Sequence, residues 1–272
     1  MKRAPARTAL VTGASSGIGA ACAARLARSG WRVLAGVRRP GEAPEGTEEL
    51  QLDITDAAQI QAAAESVEEL HALVNNAGIA IAMPLEFVPL DELRHQLDVN
   101  VVGQVAVTQA FLPALRRAHG RIVFVGSIAG KSALPFLGPY AASKHALEAV
   151  ADSLRVELRP WGIHVAIVEP GTIRTPIWTR GAAKGDELLA SADGAASQLY
   201  GDRMTAFRRV AAKRGAGGAP AEKVAEVIES ALTAERPRTR YLVGRDARIR
   251  ATFERLPDRA RDRLYERLLL RD

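Results

Sequence analysis

The sequence predicts an α/β protein built on a doubly wound parallel sheet of about seven strands, with helices on both faces. Short β-rich runs alternate with longer helical patterns along most of the 272 residues, which implies strand–helix–strand units. Short apolar runs such as Ile122-Val123-Phe124-Val125 fit strands covered on both sides. A glycine-rich turn joins the first run to an alanine-rich helix.

Taken in order, strands are expected at 8–12, 32–37, 49–52, 72–75, 121–125, 164–169 and 239–243. Helices are expected near 17–29, 56–69, 90–118, 139–160 and 221–234. No linker or repeat divides the chain, so residues 1–272 are expected to form one domain. Two stretches break the rhythm. Residues 176–219 are rich in Gly, Ala and charge, with candidate helices at 186–192 and 198–213. A long excursion of this kind predicts a substrate lid, mobile over 180–213 until cofactor and substrate bind. Beyond Arg245, two amphipathic patterns separated at Leu256-Pro257 predict a C-terminal helical extension over 245–272.

Composition removes several classes. Apolar residues make up 47% and charged residues 25%, which excludes a disordered or fibrous chain. The single cysteine, Cys22, excludes an internal disulfide and a cysteine metal cluster. His71, His95, His119 and His164 have no ligand spacing, and His145 lies on a different helical face from Lys144, so no metal is expected. No run approaches the roughly 18 apolar residues of a membrane span. Residues 1–12 hold no apolar segment of signal-peptide length, so a cytoplasmic location is expected. Thirty-seven basic against thirty-one acidic residues leave +6, all of it within 236–272, where twelve Arg face six Asp or Glu. Those arginines alternate with Asp258, Asp262 and Glu266 at helical spacing. They read as a solvated helix face, not a nucleic-acid or membrane surface.

The chemistry begins at Thr12-Gly13-Ala14-Ser15-Ser16-Gly17-Ile18-Gly19. Glycines between a strand and a helix allow a tight turn and close backbone approach to a pyrophosphate, and the helix N-terminus offers free N–H groups. An NAD site usually places an acid about 20 residues further on. Here Gly36-Val37-Arg38-Arg39 stands at that place, and guanidinium groups suit the 2′-phosphate of NADP(H), with NAD(H) still possible. Asn75-Asn76-Ala77-Gly78 follows the fourth strand, and Ser127 follows the fifth by two residues, at the carboxyl edge where open sheets bind ligands. Pro139 opens a helix on which Tyr140 and Lys144 share a face by their i,i+4 spacing. Alone, Tyr-x-x-x-Lys is common and mostly structural.

Together these residues resemble the short-chain dehydrogenase/reductase family in its single-domain form, over roughly residues 7–176. The stretch 31–40 is similar to its retinol and hydroxysteroid dehydrogenase branch. The resemblance implies a Rossmann-type fold and a catalytic set of Asn100, Ser127, Tyr140 and Lys144. Tyr140 would give or take the proton, Lys144 would favour its phenolate and hold the nicotinamide ribose, and Ser127 would orient the substrate oxygen. Asn100 would relay protons from Lys144 through water. Cofactor contacts are implied for Gly13, Ser15, Ser16, Gly17, Ile18 and Gly19, and for Arg38, Arg39, Asp53 and Ile54. Further contacts are implied for Asn76, Ala77, Gly78, Pro170, Gly171, Ile173 and Thr175, besides Tyr140 and Lys144.

The implied reaction interconverts a ketone or aldehyde and an alcohol. The substrate should be neutral and partly hydrophobic, walled by Ile81, Met83, Leu134, Phe136, Leu137, Ile177 and Trp178, with Lys131, Arg174 and Arg180 the few charges nearby. The apolar stripe Leu93, Leu97, Val101, Val105 and the small residues Ala141, Ala142, Ala146, Ala149 and Val150 fit the family's helix-paired homodimer or homotetramer. A dinucleotide sensor without turnover, or an epimerase or dehydratase, is the alternative on the same fold.

Overall fold

In the computed structural model, which describes residues 6–190 and 194–270, all seven expected strands are present. They are β1 (Thr8–Thr12), β2 (Arg32–Val37), β3 (Glu48–Gln51), β4 (Ala72–Asn75), β5 (Arg121–Val125), β6 (His164–Pro170) and β7 (Arg240–Val243). They form one parallel sheet in the order β3-β2-β1-β4-β5-β6-β7. The order reverses between β1 and β4, and a crevice opens there beyond the strands' carboxyl ends.

Alternation along each strand sorts side chains by size. Ala9, Val11, Val33, Ala35, Val74, Val123 and Val168 face one side, where they meet α1 (Gly17–Arg28) and α8 (Ala221–Thr233). Leu10, Leu34, Leu73, Ile122, Phe124 and Ile167 face the other. There they meet α2 (Ala57–Glu65), α4 (Gly103–Ala118) and α5 (Gly138–Glu157). Local signals start these helices: the Asp56 carboxylate accepts the N–H groups of Ala58 and Gln59 at the head of α2, and Pro220 precedes α8.

The expected helix over 90–118 is divided. α3 (Leu90–Leu97) passes through a π-helical turn at Asp98–Val102 before α4 begins. One inserted residue leaves the apolar stripe nearly continuous, so periodicity does not reveal it. Such turns gather at functional positions, and this one holds Asn100.

The excursion is more helical than the sequence suggests. α6 (Pro176–Ala190) begins ten residues before the expected 186–192 helix, whose last two residues fall outside the described ones, and α7 (Ala195–Ala216) follows. The glycines that suggest a loose segment have different parts. A Cβ on Gly181 would lie 2.6 Å from the Ala80 carbonyl oxygen, and one on Gly185 would lie 2.2 Å from that of Ala82. Both are places where α6 lies directly on the 80–82 backbone, and the Ala82 N–H donates to the Gly181 carbonyl at 3.3 Å. The C-terminal extension is α9 (Arg245–Phe253) and α10 (Asp258–Leu269), split at Pro257 as expected.

Candidate active site

The site forms where β1, β4 and β5 end. Gly13 and Gly17 adopt left-handed backbone, with φ of 64° and 58°. A Cβ on Gly13 would lie 2.8 Å from the Ala77 Cα, so the turn and the Asn76-Ala77-Gly78 segment pack without side chains between them. Thr12 and Asn76 fix this contact: the Thr12 hydroxyl accepts the N–H groups of Asn76 (2.9 Å) and Ala77 (3.0 Å), and the Asn76 amide donates to the Thr12 carbonyl at 2.9 Å.

A cavity of about 390 Å³ runs along this edge. Gly13, Ser15, Ser16, Gly17, Ile18 and Arg38 line one end, Asp53, Ile54, Asn76, Ala77 and Gly78 its floor, and Ser127, Tyr140 and Lys144 the other end. Pro170, Gly171, Ile173 and Thr175 lie alongside, and Ile177, Trp178, Arg180 and Lys184 of α6 form a roof. Of the expected cofactor residues, Gly19 and Arg39 are not on this lining. Gly19 instead makes room behind the turn, since its Cβ would stand 2.2 Å from the Gly13 carbonyl oxygen, and Arg39 is exposed beyond Arg38.

The cavity's donors suit a dinucleotide. Ser16 caps the first turn of α1 with its backbone alone, so no side chain takes up the first N–H groups, which are left for a phosphate. No acid stands in that turn. Arg38 lines the far end without an ion pair among the described residues, and the strand end beside it offers no carboxylate. Gly13, Gly17, Gly78 and Gly126 are among the residues that border the path between the two ends.

At the other end, Ser127 leaves β5 in extended conformation and its hydroxyl accepts the Ala129 N–H at 3.1 Å. Tyr140 sits on the first turn of α5, almost wholly buried, with the Trp178 ring edge-on at 5.4 Å between centroids. Burial pushes the Tyr140 phenol above its ordinary pKa, while the Ser127 hydroxyl and the positive charge of Arg250 pull it back. Lys144, only 4% exposed, donates from Nζ to the Val125 carbonyl at 2.8 Å and lies 5.8 Å from the Tyr140 ring centroid. Burial without a carboxylate lowers its pKa to about 8.

Asn100 is fully buried, and its amide is committed elsewhere. Its Oδ1 accepts the Ile79 N–H at 2.8 Å, and its Nδ2 donates to the Ile79 carbonyl and to Ser143 Oγ, both at 2.9 Å. Ser143 Oγ donates in turn to the Tyr140 carbonyl at 2.7 Å. Both amide N–H groups are thereby used, and the side chain braces the 79 loop against α5.

The expected substrate walls divide. Ile81, Ile177 and Trp178 line the cavity, whereas Leu134, Phe136 and Leu137 pack in an apolar cluster with Phe207, Tyr265 and Leu269, and Met83 packs with Ile81 and Val88. Lys131 turns away to bind the buried Glu169 at 2.7 Å. Sequence reasoning missed Glu92 and His95 of α3 on the rim, and the Lys184–Glu92 pair at 2.9 Å that joins the two rims. Nothing in the pattern of α3 marks that face. Among the described residues no group of acids, histidines or cysteines could hold a metal ion, and no helix is long and apolar enough to cross a membrane.

Comparison with known proteins agrees with this geometry. Residues 7–185 match the family model for short chain dehydrogenases. The chain is 34% identical to an NADPH-dependent 3-dehydrocapnine reductase of Ornithobacterium rhinotracheale, over 95% of this chain and 96% of that protein. It is 39% identical to human 17-beta-hydroxysteroid dehydrogenase type 1, over 85% and 76% respectively. A short-chain dehydrogenase of Burkholderia cenocepacia solved with NADP superimposes with a TM-score of 0.73 at 28% identity, covering 97% of both chains. The chain therefore belongs to the short-chain dehydrogenase family and is an oxidoreductase. Its relatives include the hydroxysteroid dehydrogenases that the 31–40 stretch suggests.

Proposed function

We propose that this protein is an NADP(H)-dependent reductase or dehydrogenase that interconverts a neutral, partly hydrophobic ketone or aldehyde and its alcohol. The observation that carries the reading is the gathering of Ser127, Tyr140 and Lys144 at one end of a glycine-bordered cavity with Arg38 at the other. When bound, the nicotinamide supplies or accepts the hydride. Ser127 would hold the substrate oxygen and steady the charge that develops on it. Tyr140 would deliver its phenolic proton to that oxygen in reduction and take it back in oxidation. Lys144, fixed on the Val125 carbonyl, would keep positive charge one helical turn from the phenol. Asn100 would position Tyr140 through Ser143.

NADP(H) is favoured over NAD(H) because Arg38 lines the ribose end without an ion pair among the described residues, and two relatives are named or solved with the phosphorylated cofactor. Ile81, Ile177 and Trp178 give the substrate end its apolar character. The half-buried Leu93, Leu97, Val101 and Val105, with Val102 exposed beside them, are read as part of a homodimer or homotetramer face. The 180–213 segment is read as the lid. The test is a panel of ketones, aldehydes and secondary alcohols assayed with each cofactor. Turnover of an apolar ketone or alcohol with preference for the phosphorylated cofactor is expected. Turnover confined to acidic or phosphorylated substrates would overturn the substrate class.

A further inference from the structure

The C-terminal helices lie outside the residues matched by the family model, yet α9 touches both loops of the active site. Asp246 and Arg250 stand four residues apart on one face of α9. The Asp246 carboxylate accepts the Thr172 N–H at 2.6 Å, in the turn that follows Pro170 and Gly171 on the cofactor side. One helical turn on, Arg250 Nη2 donates to the Ser132 carbonyl at 2.6 Å, and its Nε faces Ser132 Oγ at 3.4 Å. Ser132 is fully buried and closes the turn that Ser127 opens, since its N–H donates to the Ile128 carbonyl at 2.9 Å and the Gly130 N–H donates to the Ser127 carbonyl at 2.8 Å.

The hydrogen bonds around Ser132 have a fixed direction. The Tyr265 hydroxyl gives its one proton to the Glu254 carboxylate at 2.9 Å. In the 2.6 Å contact between Ser132 and Tyr265, serine is therefore the donor, and its lone pairs remain for Arg250. The charged and titratable groups facing Arg250 are Tyr265 of α10, Asp246 of its own helix and Arg214 of α7. The Tyr140 phenol is drawn down by the Ser127 hydroxyl and by the positive charge of Arg250, and Lys144 Nζ lies 5.8 Å from its ring centroid.

We propose that Arg250 is a positioning residue of the reaction, one that clamps the loop between Ser127 and Tyr140 through Ser132. Its positive charge also draws the Tyr140 phenol down. This rests on the acid–base reading of Tyr140. It makes the C-terminal extension part of the catalytic apparatus: α9 joins the cofactor turn, through Asp246, to the catalytic turn, through Arg250. A guanidinium suits the task because it stays charged at every working pH and its planar fork spans the carbonyl and hydroxyl of one residue.

The test follows the ionisation of Tyr140 by phenolate absorbance, taken as the difference between each protein and the same protein carrying Tyr140→Phe. This readout needs no substrate. Arg250→Met should move the Tyr140 midpoint to higher pH and lower the alcohol oxidation rate about three- to tenfold at a pH below it. Arg250→Lys should restore most of the midpoint, and Tyr265→Phe, which keeps the charge, should leave it in place. Should Arg250→Met not fold, Arg250→Gln removes the charge and keeps hydrogen-bond donors. A midpoint unmoved by loss of the charge overturns the proposal, whatever happens to the rate. Turnover that survives Tyr140→Phe alone would instead overturn the acid–base reading beneath it.

Discussion

At the scale of single residues, Lys144 shows that the site is bought with stability. A lysine 4% exposed, with a backbone carbonyl as its only hydrogen-bond partner among the described residues, carries its charge in the folded state at a cost of order 3 kcal/mol, from a pKa lowered to about 8. Between pH 8 and the unfolded value near 10.4, the unfolded chain holds the proton more firmly than the folded one, so stability rises with pH across that window. Lys144→Met should end turnover yet raise stability at pH 7 by a net of about 2 kcal/mol, after about 1 kcal/mol is lost at the unpaired Val125 carbonyl. Denaturant unfolding at pH 7 checks this, and the advantage should shrink toward pH 10. On the acid–base reading, Tyr140→Phe removes the hydroxyl that serves the substrate, so turnover should vanish while cofactor affinity holds. More than a few per cent of residual turnover would count against its role. At the other end, Arg38→Asp should flatten or reverse the cofactor preference, through loss of a contact worth about 1.5–3 kcal/mol. Titration with both cofactors measures it, and equal affinity in the unaltered protein would refute the phosphate assignment.

At the scale of elements, the two glycines of α6 reverse an ordinary rule. Glycine within a helix usually costs about 1 kcal/mol against alanine, so Gly→Ala normally stabilises. At Gly185 the added Cβ would enter the Ala82 carbonyl at 2.2 Å, and the change should destabilise by about 1–3 kcal/mol and speed amide exchange along α6. Gly201 of α7 has nothing within 4 Å of its would-be Cβ, so Gly201→Ala should stabilise by about 0.5–1 kcal/mol. The pair is read by thermal unfolding with hydrogen exchange; the same sign at both sites would contradict the close contact. This is also where sequence reading reached its limit. Most strands announced themselves by apolar runs, and the glycine turn, Ser127 and Tyr140-x-x-x-Lys144 by spacing along the chain, because each is a local pattern. Whether Gly185 loosens a segment or seats it depends on what lies opposite. The same holds for the π turn at Asn100, the Lys184–Glu92 pair and the hold of Arg250 on Ser132, where partners are remote in sequence.

At the scale of the whole molecule, the exposed apolar residues Val102 (58%), Val156 (69%) and Trp161 (44%) lie along or just beyond α4 and α5, and the assembly reading expects them to be covered. Light scattering at micromolar protein should show a dimer or tetramer, and a Val102→Glu and Val156→Glu double variant should shift it to monomer. A monomer in the unaltered protein would remove the assembly.

The sorting of the sheet by side-chain size has a consequence for how the molecule breaks. Where Ala9, Ala35 and Val74 let α1 and α8 come close, there is no slack, and growth is the injury. Where Leu10, Leu34 and Phe124 fill a deeper gap, shrinkage is the injury, because it leaves a void. Adjacent positions on β2 should therefore have opposite tolerances: Ala35 accepts glycine more readily than leucine, and Leu34 accepts methionine more readily than alanine. Drift in this sequence should obey two opposing volume limits that alternate residue by residue along each strand.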